Sequence, residues 1–80
     1  MARVLLFGRL RDIAGWRERD FAPAEGMSAL KALIRAADAG LADAIDGPGV
    51  QAAVDKALAR GDVALSPNAE VAFLPAMSGG

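Results

Sequence analysis

The sequence predicts a small α+β domain, a sheet with one main helix packed on one of its faces. Three observations predict it. Short apolar runs open and close the chain, Arg3 to Phe7 and Glu70 to Leu74, and each is apolar on both faces, as suits a strand at the middle of a sheet. Between them, Ser28 to Ala37 repeats apolar residues at helical spacing. One amphipathic helix covers one face of a small sheet and leaves the other without a cover.

Taken in order, Arg3 to Phe7 sets Val4 and Leu6 on one face and Leu5 and Phe7 on the other, and Gly8 closes the run. From Arg9 to Gly15, Leu10, Ile13 and Ala14 fall at i, i+3 and i+4, opposite Arg9, Arg11 and Asp12. That spacing predicts a two-turn helix ended by Gly15 in a left-handed cap. A helix so short has to be held by packing. Trp16 to Phe21, charged inside and aromatic at its ends, suits an exposed edge strand on which charge discourages pairing with other chains; a loop is the alternative. Ala22 to Met27, with Pro23 and Gly26, is a connection.

Ser28 is placed to cap the main helix with its hydroxyl. Leu30, Leu33, Ile34 and Ala37 form the inner stripe, Lys31, Arg35 and Asp38 the wet face, and Gly40 the expected stop. Leu41 to Ile45 has room for a further turn before Asp46-Gly47-Pro48-Gly49, a turn cluster. Val50 to Val54 and Lys56 to Arg60 are taken as strands three and four because the topology needs them. On propensity alone the alanine-rich stretch Gln51 to Ala59 favours helix. Gly61-Asp62 turns the chain, and Ser66-Pro67-Asn68 leads into the last strand. No repeat or linker divides the chain, so residues 1–75 are read as one domain and 76–80 as an extended tail.

The first and last strands, the most apolar, belong at the sheet centre. The face without a helix then exposes Leu5/Phe7 or Val4/Leu6 on the first strand, and Ala72/Leu74 or Val71/Phe73 on the last. An apolar patch of that kind usually marks a partner site; loops folded over it are the alternative.

Composition narrows the function. Eighty residues make one domain with a modest core, and without cysteine there is no disulfide to reinforce it and no case for an oxidising compartment. A net charge of −1, with both signs mixed, gives no support for a nucleic-acid or membrane-surface role. No apolar run approaches the ~20 residues that cross a bilayer. The opening run Val4 to Phe7 is shorter than a signal-peptide core, so the cytoplasm is the expected location. The chain has no His, Cys, Tyr or Thr, and only Ser28, Ser66 and Ser78 as serines. The usual activated nucleophiles, proton shuttles and zinc sites are therefore out of reach. A Ser–Lys pair using Lys31 or Lys56, or a carboxylate dyad, is left, and no spacing favours either. The expectation is a chain that is not an enzyme on its own and binds no metal or cofactor.

The close of the chain, Leu74-Pro75-Ala76-Met77-Ser78-Gly79-Gly80, carries the chemistry that remains. Pro75 cannot donate to a ladder and keeps Leu74 extended. Five extended residues reach about 17 Å, and two glycines without Cβ atoms thread a channel that larger residues would block. Two terminal glycines arise by chance in roughly one chain in 200; following a strand and a proline, in a chain without catalytic residues, they weigh more. The α-carboxylate of Gly80 is inert until its oxygen becomes a leaving group. Adenylation by ATP on another enzyme does that, and a thiol or persulfide then displaces the nucleotide.

The opening Val4-Leu5-Leu6-Phe7-Gly8-Arg9-Leu10-Arg11-Asp12-Ile13-Ala14-Gly15 and the close Glu70 to Gly80 resemble the small subunit of molybdopterin synthase, the MoaD family. Gln51 to Lys56 resembles that family's third strand. The resemblance runs end to end and implies a ubiquitin-like β-grasp fold, with a mixed sheet, a flexible Gly-Gly tail and a role as sulfur carrier. By that resemblance an E1-like enzyme spends ATP to adenylate Gly80, with Gly79 beside it, and a persulfide enzyme supplies the sulfur of a thiocarboxylate. The tail then enters the large subunit, and two donations build the dithiolene of molybdopterin from cyclic pyranopterin monophosphate, in a heterotetramer. Phe7, Leu58 and Leu74 fall where the family meets its partners, as do Pro75, Met77 and Ser78 on the tail; Arg11 is a further candidate, or a solvated helix charge. Three positions depart from the family: Ala76 replaces a second proline, Asn68-Ala69 stands for Gly-Asp, and Asp55 stands where asparagine is common.

The alternatives are a carrier with the same chemistry for another acceptor (thiamine thiazole, cysteine or a thioacid product), an interaction domain with an idle tail, and a ubiquitin-like modifier of lysines.

Overall fold

The two apolar end strands lie side by side in the middle of a five-stranded sheet. In the computed structural model, which describes residues 1–76, β1 (Ala2–Leu6) pairs in parallel with β5 (Glu70–Leu74). On its other edge β5 pairs antiparallel with β3 (Gln51–Val54), which forms a hairpin with β4 (Ala57–Ala59). The remaining edge of β1 carries β2 (Glu18–Phe21), antiparallel, so the order is β2-β1-β5-β3-β4. The expected strands are all present, displaced by a residue or two at their ends. Pairing decides Gln51 to Ala59 against its helical propensity, because β3 completes the second edge of β5.

Alternation along the strands sorts the faces. Val4, Leu6, Val71 and Phe73 are buried on the inner face, while Leu5, Ala72 and Leu74 on the outer face are half-buried. Three helices pack on the inner face: α1 (Arg9–Ala14) through Leu10, α2 (Met27–Ala37) through Met27, Leu30 and Ile34, and α3 (Ala39–Ile45) through Leu41, Ala42 and Ile45. α2 is the expected main helix, but it does not cover the face alone. Leu41 to Ile45 is the end of a separate helix that shares the cover with α2. Each of the larger fully buried side chains contributes about 1.5–3 kcal/mol by leaving water, and no polar or charged side chain is buried among the described residues.

Two terminus assignments are also corrected. Ser28 is the second residue of α2 and caps nothing; its N–H donates to Asp62 Oδ1 at 2.8 Å, so the cap comes from a loop 34 residues along the chain. The helix starts one residue early because extended Gly26 bridges to Ala64, while the Met27 N–H donates to the Val63 carbonyl. Gly40 does not stop α2. The break falls at Asp38, in extended conformation, whose Oδ1 accepts from the Leu41 N–H at 3.0 Å and starts α3. Gly15, by contrast, adopts the expected left-handed cap of α1, its N–H donating to the Arg11 carbonyl.

The β3–β4 hairpin turns on Asp55 and Lys56, both at positive φ (49° and 73°). Such a two-residue turn matches the right-handed twist of the strands but favours Asn and Gly. Asp55 has a compensating role: its N–H donates to the Glu70 carbonyl at 2.8 Å, and its Oδ1 accepts from the Glu70 N–H at 3.0 Å. The turn is thereby tied to the start of β5. Lys56 makes no such contact among the described hydrogen bonds. On β2, Phe21 is buried, and Arg19 lies 4.9 Å over its ring.

Two stability changes follow. Lys56→Gly removes a left-handed penalty at a smaller entropic cost and should stabilise by about 0.5–1 kcal/mol, raising Tm by roughly 2–8 °C in calorimetry. Asp62→Ala removes the remote cap of α2 and should cost about 1 kcal/mol, lowering Tm by roughly 4–8 °C. An unchanged Tm in either variant contradicts the corresponding assignment.

Candidate functional site

The strand register brings the candidate residues to one end and one face of the sheet. Leu6 stands opposite Phe73 and Gln51 opposite Leu74. Continued past the strand ends, the same registers set Gly8 beside Pro75 and Gly49 beside Ala76. Both contacts are close. A Cβ on Gly8 would stand 2.9 Å from Pro75 Cγ, and one on Gly49 2.6 Å from Ala76 Cβ, well inside van der Waals contact. Both glycines have positive φ, 55° and 79°. The chain therefore leaves β5 between two loops that place glycine beside Pro75 and Ala76.

On the outer face, cross-strand pairing sets Leu5, Ala72, Ala53 and Leu58 in one row from β1 to β4. Leu74 lies in the next row toward the exit, and Phe7 continues the alternation of β1, its N–H donating to the Phe73 carbonyl at 3.3 Å. Leu58 is 69% exposed and Phe7 46%, two large apolar groups offered on this face. Three strand spacings of about 4.8 Å separate β1 from β4, so the patch spans roughly 14 Å. The expected uncovered face is therefore the one with Leu5/Phe7 and Ala72/Leu74.

Charge frames the patch. At its far end Arg3 pairs with Glu18 and Asp20, each at 3.4 Å. Beside Phe7, a hollow of about 220 Å³ is lined by Leu5, Leu6, Phe7, Arg11, Arg17 and Glu18. Arg11 and Phe7 thus line the same hollow. Below Leu58 a groove of about 370 Å³ runs past Gly49 and Gln51 to Lys31 and Arg60.

The structure brings together Phe7, Arg11, Leu74 and Pro75 at the exit end, with Leu58 across the sheet on the same face. Leu74 and Pro75 are half-buried and Ala76 is exposed. Met77, Ser78, Gly79 and Gly80 lie outside the described residues. Gly8 and Gly49 were read from sequence only as a strand end and part of a turn cluster; their place beside the tail needs the register of β5, which sequence pattern does not supply. Leu5, Ala53 and Ala72 join the patch for the same reason. Among the described residues no cluster of His, Cys, Asp or Glu could hold a metal ion, and no helix is long and apolar enough to cross a membrane. What the described site offers is an exposed apolar face and, at one end of it, the close of β5 between Gly8 and Gly49.

The comparisons with known proteins agree with that geometry. No curated protein matches the chain. The crystal structure of SAMP1 from Haloferax volcanii superposes with a TM-score of 0.80 at 22% identity, covering 99% of this chain and 98% of that one. At that identity the likeness carries the fold alone, which is the ubiquitin-like β-grasp. Residues 4–80 match the sequence model of the ThiS family, nearly the whole chain including its last residue. With a β-grasp sheet, an open apolar face and a clear exit from its last strand, this chain belongs to the ThiS family of ubiquitin-like sulfur carriers.

Proposed function

We propose that the chain is the sulfur-donating small subunit of a molybdopterin synthase, and that Gly80 carries the sulfur as a thiocarboxylate. The observation that carries this is the convergence, at one end of the sheet, of the exit past Gly8 and Gly49 with the apolar groups Phe7 and Leu74. A partner seated on the outer face receives the tail without the chain having to turn back. The Phe73-Leu74-Pro75 and Ser78-Gly79-Gly80 ending supports this branch.

The chemistry needs two partner enzymes. On an E1-like enzyme the Gly80 carboxylate oxygen attacks the α-phosphorus of ATP, pyrophosphate leaves, and an acyl-adenylate forms. The terminal sulfur of a persulfide then attacks the Gly80 carbonyl and expels AMP, giving an acyl disulfide. A second thiol attacks the persulfide enzyme's sulfur, forming a disulfide with it and releasing the thiocarboxylate. This chain supplies the acyl group and the docking face, and every activated nucleophile belongs to the partners. Binding energy from the remote patch holds the reacting terminus in place, and Gly79 allows close passage through a channel. In this reading Met77 and Ser78 are the tail's own candidate contacts with the partner, and Arg11 is the candidate for an acidic partner group beside Phe7.

An alternative acceptor, such as a thiazole under construction, keeps all of this and changes only the final step; the match to the ThiS model favours keeping it in view. The two separate by assay. Thiocarboxylated chain is mixed with the large subunit and cyclic pyranopterin monophosphate, and dithiolene formation is followed. Sulfur lost to the pyranopterin supports the proposal. A thiocarboxylate stable there and discharged only in a thiazole-forming reaction assigns the alternative.

Two further outcomes are expected. Incubation with the E1-like enzyme of the same organism, ATP and hydrosulfide should raise the intact mass by about 16 Da, oxygen replaced by sulfur. A chain lacking Gly79 and Gly80 should show no gain while keeping its Tm, and undiminished function after that truncation would instead indicate an interaction domain. Leu58→Glu, at an exposed edge position, should change stability by no more than about 0.5 kcal/mol and weaken large-subunit binding by roughly 30-fold or more, as loss of a central apolar anchor does. Unchanged affinity in titration calorimetry would remove the outer face from the interface.

A further inference from the structure

The two glycines at the exit are not equivalent to open space. Gly8 follows β1, Gly49 precedes β3, and these strands flank β5 on either side. Because β1 is parallel to β5 and β3 antiparallel, the end of one and the start of the other meet at the same point, where β5 ends. Pro75 packs against Gly8 and Ala76 against Gly49 in consecutive registers. Against Gly8 the near atom is Pro75 Cγ, in a ring that can pucker away. Against Gly49 it is Ala76 Cβ, fixed to the backbone, and Ala76 Cα follows at 3.6 Å. A Cβ added at residue 49 would have to displace the chain by about 1 Å to reach ordinary carbon contact.

We infer that Gly8 and Gly49 are positioning residues, a two-sided guide that fixes the direction in which the chain leaves β5 and so the line along which Gly80 reaches a partner's active site. This rests on the sulfur-carrier reading of Gly80. A misplacement of about 1 Å far from the reacting atoms costs up to ~100-fold in rate, so the effect is one of rate rather than of folding.

The test separates the missing Cβ from the positive φ. Asn adopts positive φ more readily than other side-chain-bearing residues but brings a Cβ, so Gly49→Asn adds bulk with less backbone strain than any larger or branched replacement. Ala76→Gly removes the methyl group it would strike. Thiocarboxylation of wild type, Gly49→Asn, Ala76→Gly and the double variant is followed by intact mass with the organism's E1-like enzyme, ATP and hydrosulfide. Melting is followed in parallel, with Tm expected to change by only a few degrees. Gly49→Asn should be roughly 10- to 100-fold slower, and the double variant should return to within about threefold of Ala76→Gly alone. A Gly49→Asn chain that keeps pace with wild type, or a defect that Ala76→Gly does not relieve, overturns the guide. A wild-type chain that gains no mass overturns the sulfur-carrier reading itself. Should Gly49→Asn fail to fold, nuclear Overhauser contacts between the Gly49 α-protons and the Ala76 methyl in wild type decide the matter: their presence supports the guide and their absence overturns it.

Discussion

β5 is hydrogen-bonded along both edges, parallel to β1 and antiparallel to β3, and much of the molecule depends on that double pairing. A strand held on both sides cannot slip by one residue without turning its apolar set to the wrong face. Val71 and Phe73 are therefore fixed inward under the helices, and Ala72 and Leu74 outward. The same pairing fixes where β5 ends relative to its neighbours. The functional end of the chain thus inherits its position from the most constrained strand of the sheet.

Much of this was legible in the residues. The end strands, the stripe of Leu30 and Ile34, the charged edge strand and the left-handed Gly15 follow from local pattern, and the structure repeats them. The misjudged helix ends have separate causes. Ser28 looked like a cap because it is a serine before a helical stripe, yet Asp62 holds the cap from across the fold. Gly40 looked like a stop because glycine commonly ends helices, yet Asp38 ends one helix and starts the next with its own side chain. Alanines from Gln51 onward favour helix locally, and the unpaired edge of β5 overrules them. Phe7, Leu58 and Leu74 came from resemblance to a family; the sheet then explains why they share a face. Gly8 and Gly49 were visible as glycines, but only pairing could reveal that they face Pro75 and Ala76.

The residue inventory and the geometry point the same way. A domain with no histidine or cysteine has little to offer as an acid, base or nucleophile. Its described portion buries no polar side chain whose environment could be tuned for catalysis. On the proposed function, reactivity lies in a backbone carboxylate, a group every chain possesses and none can use without activation. In that role the domain's part is presentation, from a fixed sheet with Gly8 and Gly49 beside Pro75 and Ala76.

Presentation sets opposing demands on the residues after Leu74. In the proposed role a partner's channel asks for a thin chain, and glycines, which carry no Cβ, suit it at an entropic cost on insertion. Accurate delivery asks that the tail begin from a defined point and direction, since uncertainty at the base is magnified along its length. The demands are met at different positions. Pro75, with its fixed φ and its ring against Gly8, and Ala76, against Gly49, belong to the sheet in their contacts although they lie beyond its last hydrogen bonds. Where the family carries a second proline this chain has alanine, so ring stiffness at residue 76 is absent and the contact with Gly49 is left to supply the constraint. Enlarging residue 49 would therefore disturb this chain more than one whose second proline fixes the same direction through its own ring.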